Sequence, residues 1–266
     1  MKEGCLLSCT LFVFAFSIGL WSPLDWAYGR ENDDQLVLVE DGVTQAPVIL
    51  YEAAPAKTRE AAEELLTYIE KTSGAEPKLI VGEPEEIPDH AIWVGYQPLL
   101  DTVFPDIGFD FQHPEEIVIA ANDSHLVIAG RDRWAPEDMS FKSRGGRITV
   151  KNVQQEYGTV NAVYTFLQKY LDVRWLWPGE LGEDIVEQES IAFEPFEYRY
   201  HPQIRMRESM LRLSRRAWTN NPPSGPWARR QRLQLDSLDY YRVIEHGWDG
   251  WWERYHENHP EYFALQ

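Results

Sequence analysis

The most regular hydrophobic pattern in the chain lies between Tyr157 and Glu180. Four of its apolar residues recur at the i, i+3, i+4 and i+7 spacing of one helical stripe: Val163, Phe166, Leu167 and Tyr170. Such a stripe is buried when its helix packs on another element. Gly158 stands just before the first turn, where a missing side chain allows another backbone to approach closely. The pattern predicts an amphipathic helix on a sheet, with these side chains in the core.

A second pattern follows this helix directly. Residues Val173–Trp177 are rich in aromatic and β-branched side chains, and Pro178-Gly179 comes immediately after them. This composition favours extended structure, and proline followed by glycine ends it. We therefore predict a short strand over Val173–Trp177.

Toward the N-terminus, the pattern predicts two strands and a helix. Leu36–Val39 and Val48–Tyr51 are short apolar runs that flank a turn, as expected for strands. Thr58 is the predicted N-cap of a helix that runs to about Thr72, with Gly74 just past its end. The apolar face of this helix is formed by Ala62, Leu65, Leu66 and Ile69.

Further strands complete a mixed α/β pattern. They are predicted at Lys78–Val81, Ala91–Val94, Ile117–Ala120, Leu126–Ala129 and Arg147–Val150. The order strand, helix, strand requires a crossover connection and at least one parallel pairing. Asn122-Asp123-Ser124 favours a hairpin turn between two of the strands, although it is also an N-glycosylation sequon.

Length and charge limit the organisation and the partners of the protein. A chain of 266 residues exceeds the usual size of one domain, and we place a domain boundary near residues 190–201. The predicted domains are therefore residues 36–195 and residues 201–266. The formal net charge of −18 disfavours nucleic acid and anionic membrane surfaces as partners, because both would repel the chain.

The first 29 residues have the features of a secretory signal peptide. Lys2 precedes an apolar run from Cys5 to Leu20, and Ala27-Tyr28-Gly29 is a small-x-small cleavage site. Cleavage at residue 29 predicts a secreted or periplasmic protein with no membrane contact afterwards; a signal anchor is the alternative. Both cysteines lie inside this segment, so we expect no disulfide or thiol chemistry in the mature protein.

Past the boundary, arginine and tryptophan become frequent. The arginines are Arg205, Arg207, Arg212, Arg215, Arg216, Arg229, Arg230 and Arg232, and the tryptophans are Trp218, Trp227, Trp248, Trp251 and Trp252. One interpretation is a basic face paired with acidic neighbours, with the tryptophans in the core. The other is a saccharide site, in which tryptophan covers the C–H face of a sugar and arginine binds hydroxyls or a uronate carboxylate.

The stretch from Gly158 to Gly179 resembles the end of the N-terminal domain of family 67 α-glucuronidases and related secreted glycoside hydrolase-like proteins. In that family a glycine, a Val-Tyr-x-Phe-Leu helix and an Arg-Trp-x-x-Pro-Gly strand exit follow one another, as they do here. The resemblance extends more thinly over about residues 36–200. It implies a mixed-sheet α/β sandwich, the accessory domain of a glycosidase, followed by a (β/α)₈ barrel.

This resemblance also implies an incomplete barrel and a set of substrate-binding residues. Gln203–Leu211 is similar to a first barrel strand, and too few residues follow it for a whole barrel of about 250 residues. The implied substrate-binding residues are Arg207, Trp218, Asn220, His246 and Trp248. A glycoside hydrolase needs two carboxylates, which we expect beyond Gln266. The barrel opening over residues 201–266 is thus predicted to be truncated.

A metal site is the competing interpretation of His246, His256 and His259. The spacing of His256 and His259 differs from the i, i+4 pair of zinc proteases, and Pro260 would interrupt a helix there. We predict no metal and no cofactor, since no phosphate-loop or dinucleotide pattern is present either.

The sequence therefore favours the N-terminal part of an exported glycoside hydrolase that acts on polysaccharide or oligosaccharide, with uronic-acid-containing glycans as the favoured class. The alternatives are a non-catalytic carbohydrate-binding or surface protein on the same framework, and a truncated product without its own function. The sequence carries no signal for the oligomeric state.

Overall fold

The computed structural model describes residues 35–135, 139–143, 146–150, 153–204, 207, 224–233 and 251–263. The predicted signal peptide, residues 1–29, lies outside the described residues. Within the described part, no helix has the length and apolar character needed to cross a membrane.

In the described part of the chain, groups of strands are separated by helices. The strands are β1 (Leu36–Glu40), β2 (Val43–Thr44), β3 (Val48–Leu50), β4 (Leu79–Val81), β5 (Ala91–Val94), β6 (Ile117–Ala121), β7 (His125–Gly130), β8 (Asp132–Ala135), β9 (Met139–Ser143), β10 (Gly146–Val150), β11 (Val153–Tyr157), β12 (Arg174–Trp175), β13 (Glu183–Asp184), β14 (Ile191–Phe193) and β15 (Phe196–Tyr200). The helices are α1 (Ala56–Ser73), α2 (Leu100–Val103), α3 (Gly158–Tyr170), α4 (Ser224–Arg230) and α5 (Trp251–Tyr255), with 3₁₀ turns at Glu180–Gly182 and Pro260–Tyr262.

A six-stranded mixed sheet forms the centre of the fold, in the order β15-β6-β7-β5-β3-β4. β4, β3, β5 and β7 are parallel to one another, which confirms the predicted crossover. β6 and β7 form the predicted hairpin. In the turn between them, the Asn122 side-chain oxygen accepts hydrogen bonds from the backbone N–H groups of Ser124 and His125, as expected of asparagine in a turn.

The two faces of this sheet are covered by different elements. Because side chains alternate along a strand, Ile92 and Val94 of β5 face one core while Ala91 and Trp93 face the other. The first core contains the buried sides of α1 and α3, and the second contains α2 with the loop after it. The mixed α/β class predicted from the sequence is confirmed, with helices on both faces of the sheet.

Helix α1 begins earlier than predicted. Pro55 directly precedes its first residue. Proline suits this position because its fixed φ fits the start of a helix, where a backbone N–H group would have no partner within the helix. Thr58 is therefore not the N-cap: it is fully buried inside the helix, and its hydroxyl accepts a hydrogen bond from Gln154 Nε2 at 3.4 Å. Gly74 does end the helix, with φ +75°.

Helix α3 is the amphipathic helix that the sequence pattern predicted. Val163, Phe166 and Leu167 are fully buried, and Tyr170 packs against the same core. Gly158 is its first residue, in contact with the backbone at the end of β7: a Cβ on Gly158 would lie 2.3 Å from the Arg131 nitrogen. The close backbone approach expected at this glycine is thus present.

The strand after α3 is shorter than predicted. Only Arg174 and Trp175 pair, with β13, while Leu176 and Trp177 are 70% and 55% exposed. The chain leaves the strand early because the residues up to Gly182 turn back on it: Leu176 N–H donates to the Gly182 carbonyl at 2.7 Å. The predicted strand Val173–Trp177 is wrong outside this pair.

The sheet continues past residue 195, the predicted end of the first domain. β15 pairs with β6 along its whole length, from Phe196 to Tyr200. Beyond it, Gln203, Ile204 and Arg207 lie outside any helix or strand, and the other residues of the predicted barrel strand fall outside the described part. The opening of a (β/α)₈ barrel stays a prediction.

Candidate functional site

The candidate site is a cavity of about 120 Å³ at one edge of the central sheet. We call it the arginine cleft, and it is lined by Glu115, Ile117, Asn161, Thr165, Tyr200, Pro202, Arg207, Gln231 and Arg232. The start of β6 and the end of β15 form its floor, because Ile117 pairs with Tyr200. Helix α3 contributes one wall, and the residues after α4 contribute the other.

Arg207 is the one predicted site residue that the structure describes. Its Nη2 donates to Glu115 Oε2 at 2.7 Å, and the Glu115 side chain is fully buried. Its Nε donates to the Arg232 carbonyl at 2.9 Å and its Nη1 to the Ile204 carbonyl at 3.1 Å. These bonds hold the guanidinium at the wall of the cleft, where a quarter of the side chain or less is exposed.

Arg232 brings a second guanidinium to the cleft. It donates to the Gln168 side chain and to the Arg230 carbonyl, which are both uncharged groups. No carboxylate of the described residues forms an ion pair with it, and burial together with the charge of Arg207 lowers its pKa. Counting the described lining residues alone, the cleft carries two positive charges and one negative charge, that of Glu115.

Two further features mark this cleft. Glu115 and Arg232 have φ values of +55° and +58°, in the left-handed region that non-glycine residues rarely adopt. Such backbone strain concentrates at functional sites. Asn161 is only 8% exposed, and no hydrogen bond joins its side-chain amide to another described residue. Within the described part of the chain, an arginine without a carboxylate partner and an amide without a hydrogen-bond partner line the same cavity, which is an arrangement suited to an anionic ligand.

One arginine and one tryptophan of the predicted saccharide site, Arg230 and Trp227, have structural roles instead. Arg230 forms ion pairs with Glu64 at 2.8 Å and Glu183 at 3.1 Å. Trp227 packs against the first core and donates through Nε1 to the Trp175 carbonyl at 2.9 Å. For these residues, the interpretation as a paired basic face and core tryptophans is the better one.

The remaining predicted site residues lie outside the described part of the chain: Trp218, Asn220, His246 and Trp248. Of the histidines considered for a metal, His256 stacks on Trp252 and His259 stacks on Tyr262. Among the described residues, no group of three or more histidine, cysteine, aspartate or glutamate side chains is placed to hold a metal ion.

Sequence reasoning missed Glu115 and Asn161 and named Arg232 only as one of many arginines. Arg207 lies 92 positions from Glu115 along the chain, so spacing could not join them. Asn161 offered no distinct signal, because the same helix has other polar residues: Thr159, Thr165, Gln168 and Lys169.

No family model matches the sequence, and no curated protein matches it. Among solved structures, the chain is similar to a 4-O-methyl-α-glucuronidase of family GH115 that has specificity for decorated arabinogalactans. The identity is 14%, the TM-score is 0.40, and the similarity covers 65% of this chain and 19% of that one. The chain thus spans about a fifth of this weak structural neighbour, and the family 67 relationship stays a prediction.

Proposed function

We propose that the chain is the N-terminal part of an exported glycoside hydrolase, and that the arginine cleft binds an acidic sugar of its polysaccharide substrate. The observation that carries the proposal is Arg232, a partly buried guanidinium with no carboxylate partner among the described residues, next to Arg207. Burying a charge costs free energy unless a counter-charge is supplied. A bound uronate would supply it.

The shape of a uronate fits the groups in the cleft. Guanidinium groups bind carboxylates through paired N–H donors, so Arg232 suits the carboxylate of the sugar. The Asn161 amide can donate to and accept from sugar hydroxyls, and the Thr165 hydroxyl, which already donates to the Asn161 backbone carbonyl at 2.7 Å, can accept from them. The apolar side chains of Ile117 and Tyr200 line the same cavity and can contact the C–H face of the ring.

The role assigned to the cleft is binding rather than bond cleavage. Glycoside hydrolysis usually requires two carboxylates on either side of the scissile bond. Among the described residues, Glu115 is the one carboxylate that lines the cleft, and its side chain is held by Arg207. The catalytic pair, the barrel that would carry it and export through residues 1–29 remain part of the proposal, as do substrate contacts by Trp218, Asn220, His246 and Trp248.

The test is calorimetric titration of the whole chain with aldotetraouronic acid and with the same oligosaccharide after reduction of its carboxyl group. We expect the acidic form to bind at least about tenfold more tightly, a difference of about 1.4 kcal/mol. Arg232→Gln should remove this preference. Arg174→Gln is the matched control, because Arg174 pairs with Asp172 on the surface.

Equal affinity for the two oligosaccharides, or an unchanged preference in Arg232→Gln, would refute the uronate site. Release of new reducing ends from the acidic oligosaccharide by the same preparation would support catalysis by the chain itself. Binding without release of reducing ends favours the alternative, a non-catalytic carbohydrate-binding protein. Circular dichroism of each variant separates loss of binding from loss of fold.

A further inference from the structure

A second cavity lies where the parallel strands of the central sheet end. It has a volume of about 280 Å³ and shares no lining residue with the arginine cleft. We call it the aromatic crevice, and its principal lining residues are Tyr51, Tyr96, Phe111, Arg131, Asp132 and Trp134. Tyr51 directly follows β3, Tyr96 follows the end of β5, and Arg131 directly follows β7.

The topology of the sheet makes this position a favoured one for ligands. After β3 the chain crosses to the face covered by α1, whereas after β5 it crosses to the face covered by α2. β3 and β5 are neighbours, so their connections separate and leave a crevice beyond their carboxyl ends. Ligands of open α/β sheets bind in crevices formed in this way.

Aromatic side chains form the walls of the crevice. Tyr96 and Trp134 are 39% and 37% exposed, although large aromatic side chains are usually buried. The Tyr51 ring is fixed by Gly95, where a Cβ would lie 2.3 Å from the ring, and Gly95 has φ +80°. Glycine at this position therefore allows the ring to lie over the end of β5 and to line the cavity.

The two charged side chains of the crevice, Asp132 and Arg131, already have partners within the chain. Asp132 Oδ1 accepts the Thr159 backbone N–H at 3.0 Å, so a carboxylate of the chain itself occupies the N-terminus of α3. Arg131 forms an ion pair with Glu156 at 3.1 Å. The N-terminus of a helix attracts anions, but here the Asp132 carboxylate already occupies that position and would repel a phosphate or carboxylate ligand. The crevice is therefore suited to a neutral ligand.

The geometry points to a neutral saccharide as that ligand: we propose that the aromatic crevice is a second glycan-binding site. The C–H face of a sugar ring stacks on Trp134 and Tyr96, because aromatic faces cover apolar surface at little conformational cost. Arg131 has five N–H donors; those that Glu156 and the Gln112 carbonyl do not use, within the described part of the chain, are assigned to sugar hydroxyl oxygens. The volume is close to that of small ligand pockets.

The test uses the whole chain and three neutral probes: xylotetraose, cellotetraose and galactotetraose. We expect at least one probe to bind with a Kd of about 1 mM or tighter in calorimetry. Trp134→Ala and Tyr96→Ala should weaken that binding by about tenfold or more, whereas Tyr96→Phe, which keeps the ring, should bind as the wild type does. Trp177→Ala is the control, since Trp177 is an exposed tryptophan that does not line the crevice.

If none of the three probes binds, or if Trp134→Ala and Trp177→Ala affect binding equally, the inference is refuted. Its failure is distinguishable from failure of the proposed function, because the acidic-sugar test depends on Arg232 and on a carboxyl group. Trp134→Ala should not lower the preference for the acidic oligosaccharide, and Arg232→Gln should leave the affinity for the neutral probe unchanged.

Discussion

Replacing Gly158 with alanine tests the contact on which the fold depends most directly. The added Cβ would lie 2.3 Å from the Arg131 nitrogen, 2.4 Å from the Arg131 oxygen and 2.6 Å from the Gly130 carbonyl carbon. Real Cβ contacts are longer than about 3.0 Å. All three neighbours are backbone atoms, so no side chain can rotate away and α3 must move from the end of β7.

Two effects of the substitution oppose each other. Alanine favours a helix over glycine by up to about 1 kcal/mol, which would stabilise the variant. Overpacking of a well-packed core costs about 1–3 kcal/mol, and we expect the upper end of this range because two backbone segments must separate. The net loss should be about 2 kcal/mol or more, out of a total stability of about 5–15 kcal/mol.

Urea denaturation followed by tryptophan fluorescence measures this loss, and the melting temperature should fall by about 4–8 °C. Gly108→Ala is the matched control, because a Cβ there would have no neighbour within 4 Å and its φ is not positive. The control should unfold within about 0.5 kcal/mol of the wild type or be slightly more stable. A Gly158→Ala variant as stable as the control would refute the close approach of α3 and β7.

Two further changes test the interior. Tyr68→Phe removes a hydroxyl that accepts from Trp175 Nε1 at 2.7 Å and donates to Glu183 at 2.6 Å, so urea denaturation should show a loss of about 1–3 kcal/mol; no loss would contradict these bonds. Burial raises the pKa of Asp132 from 3.8 to about 6 in the folded state. Protonation of this carboxyl therefore stabilises the folded state. The contribution is fully present below about pH 4 and is lost as the pH rises through about 6. In Asp132→Asn the melting temperature should depend less on pH over that interval. A slope equal to that of the wild type would contradict the raised pKa of Asp132.

The sequence predicted best those elements that depend on residues close together in the chain. The stripe of Val163, Phe166 and Leu167 and the glycine before it depend on residues within one helix, and α3 forms where they predict it. The N-cap of α1 was misassigned because Thr58 has the favoured side chain for a cap, yet burial against Gln154 from β11 determines its place. A contact between residues 96 positions apart leaves no local signal.

The sites were harder to predict because they depend on strand order. Tyr51, Tyr96 and Trp134 lie in three separate segments, and only the order of β3, β5 and β7 in the sheet brings the ends of these strands together. Sequence alone predicted the strands and one parallel pairing, but not which strands are neighbours. The same limit applies to the arginine cleft, where Arg207 was identified and its partner Glu115 was not.

The two candidate sites lie on the same side of the sheet, at the carboxyl ends of its parallel strands. β6 runs antiparallel to β7, so Ile117 at the start of β6 pairs with Gly130 at the end of β7. Glu156 connects the sites: its Oε2 pairs with Arg131 of the crevice at 3.1 Å and accepts the Glu115 backbone N–H of the cleft at 3.4 Å.

An extended glycan could therefore place an acidic unit in the arginine cleft and neutral units in the aromatic crevice without leaving this side of the sheet. Binding of both parts by one chain would make the second contact intramolecular, and affinity would then rise without any new group on the protein. On these proposals, the net charge of −18 would disfavour binding of a polyanionic ligand to the chain as a whole. A sparsely charged polysaccharide is therefore the ligand that the two proposals together predict.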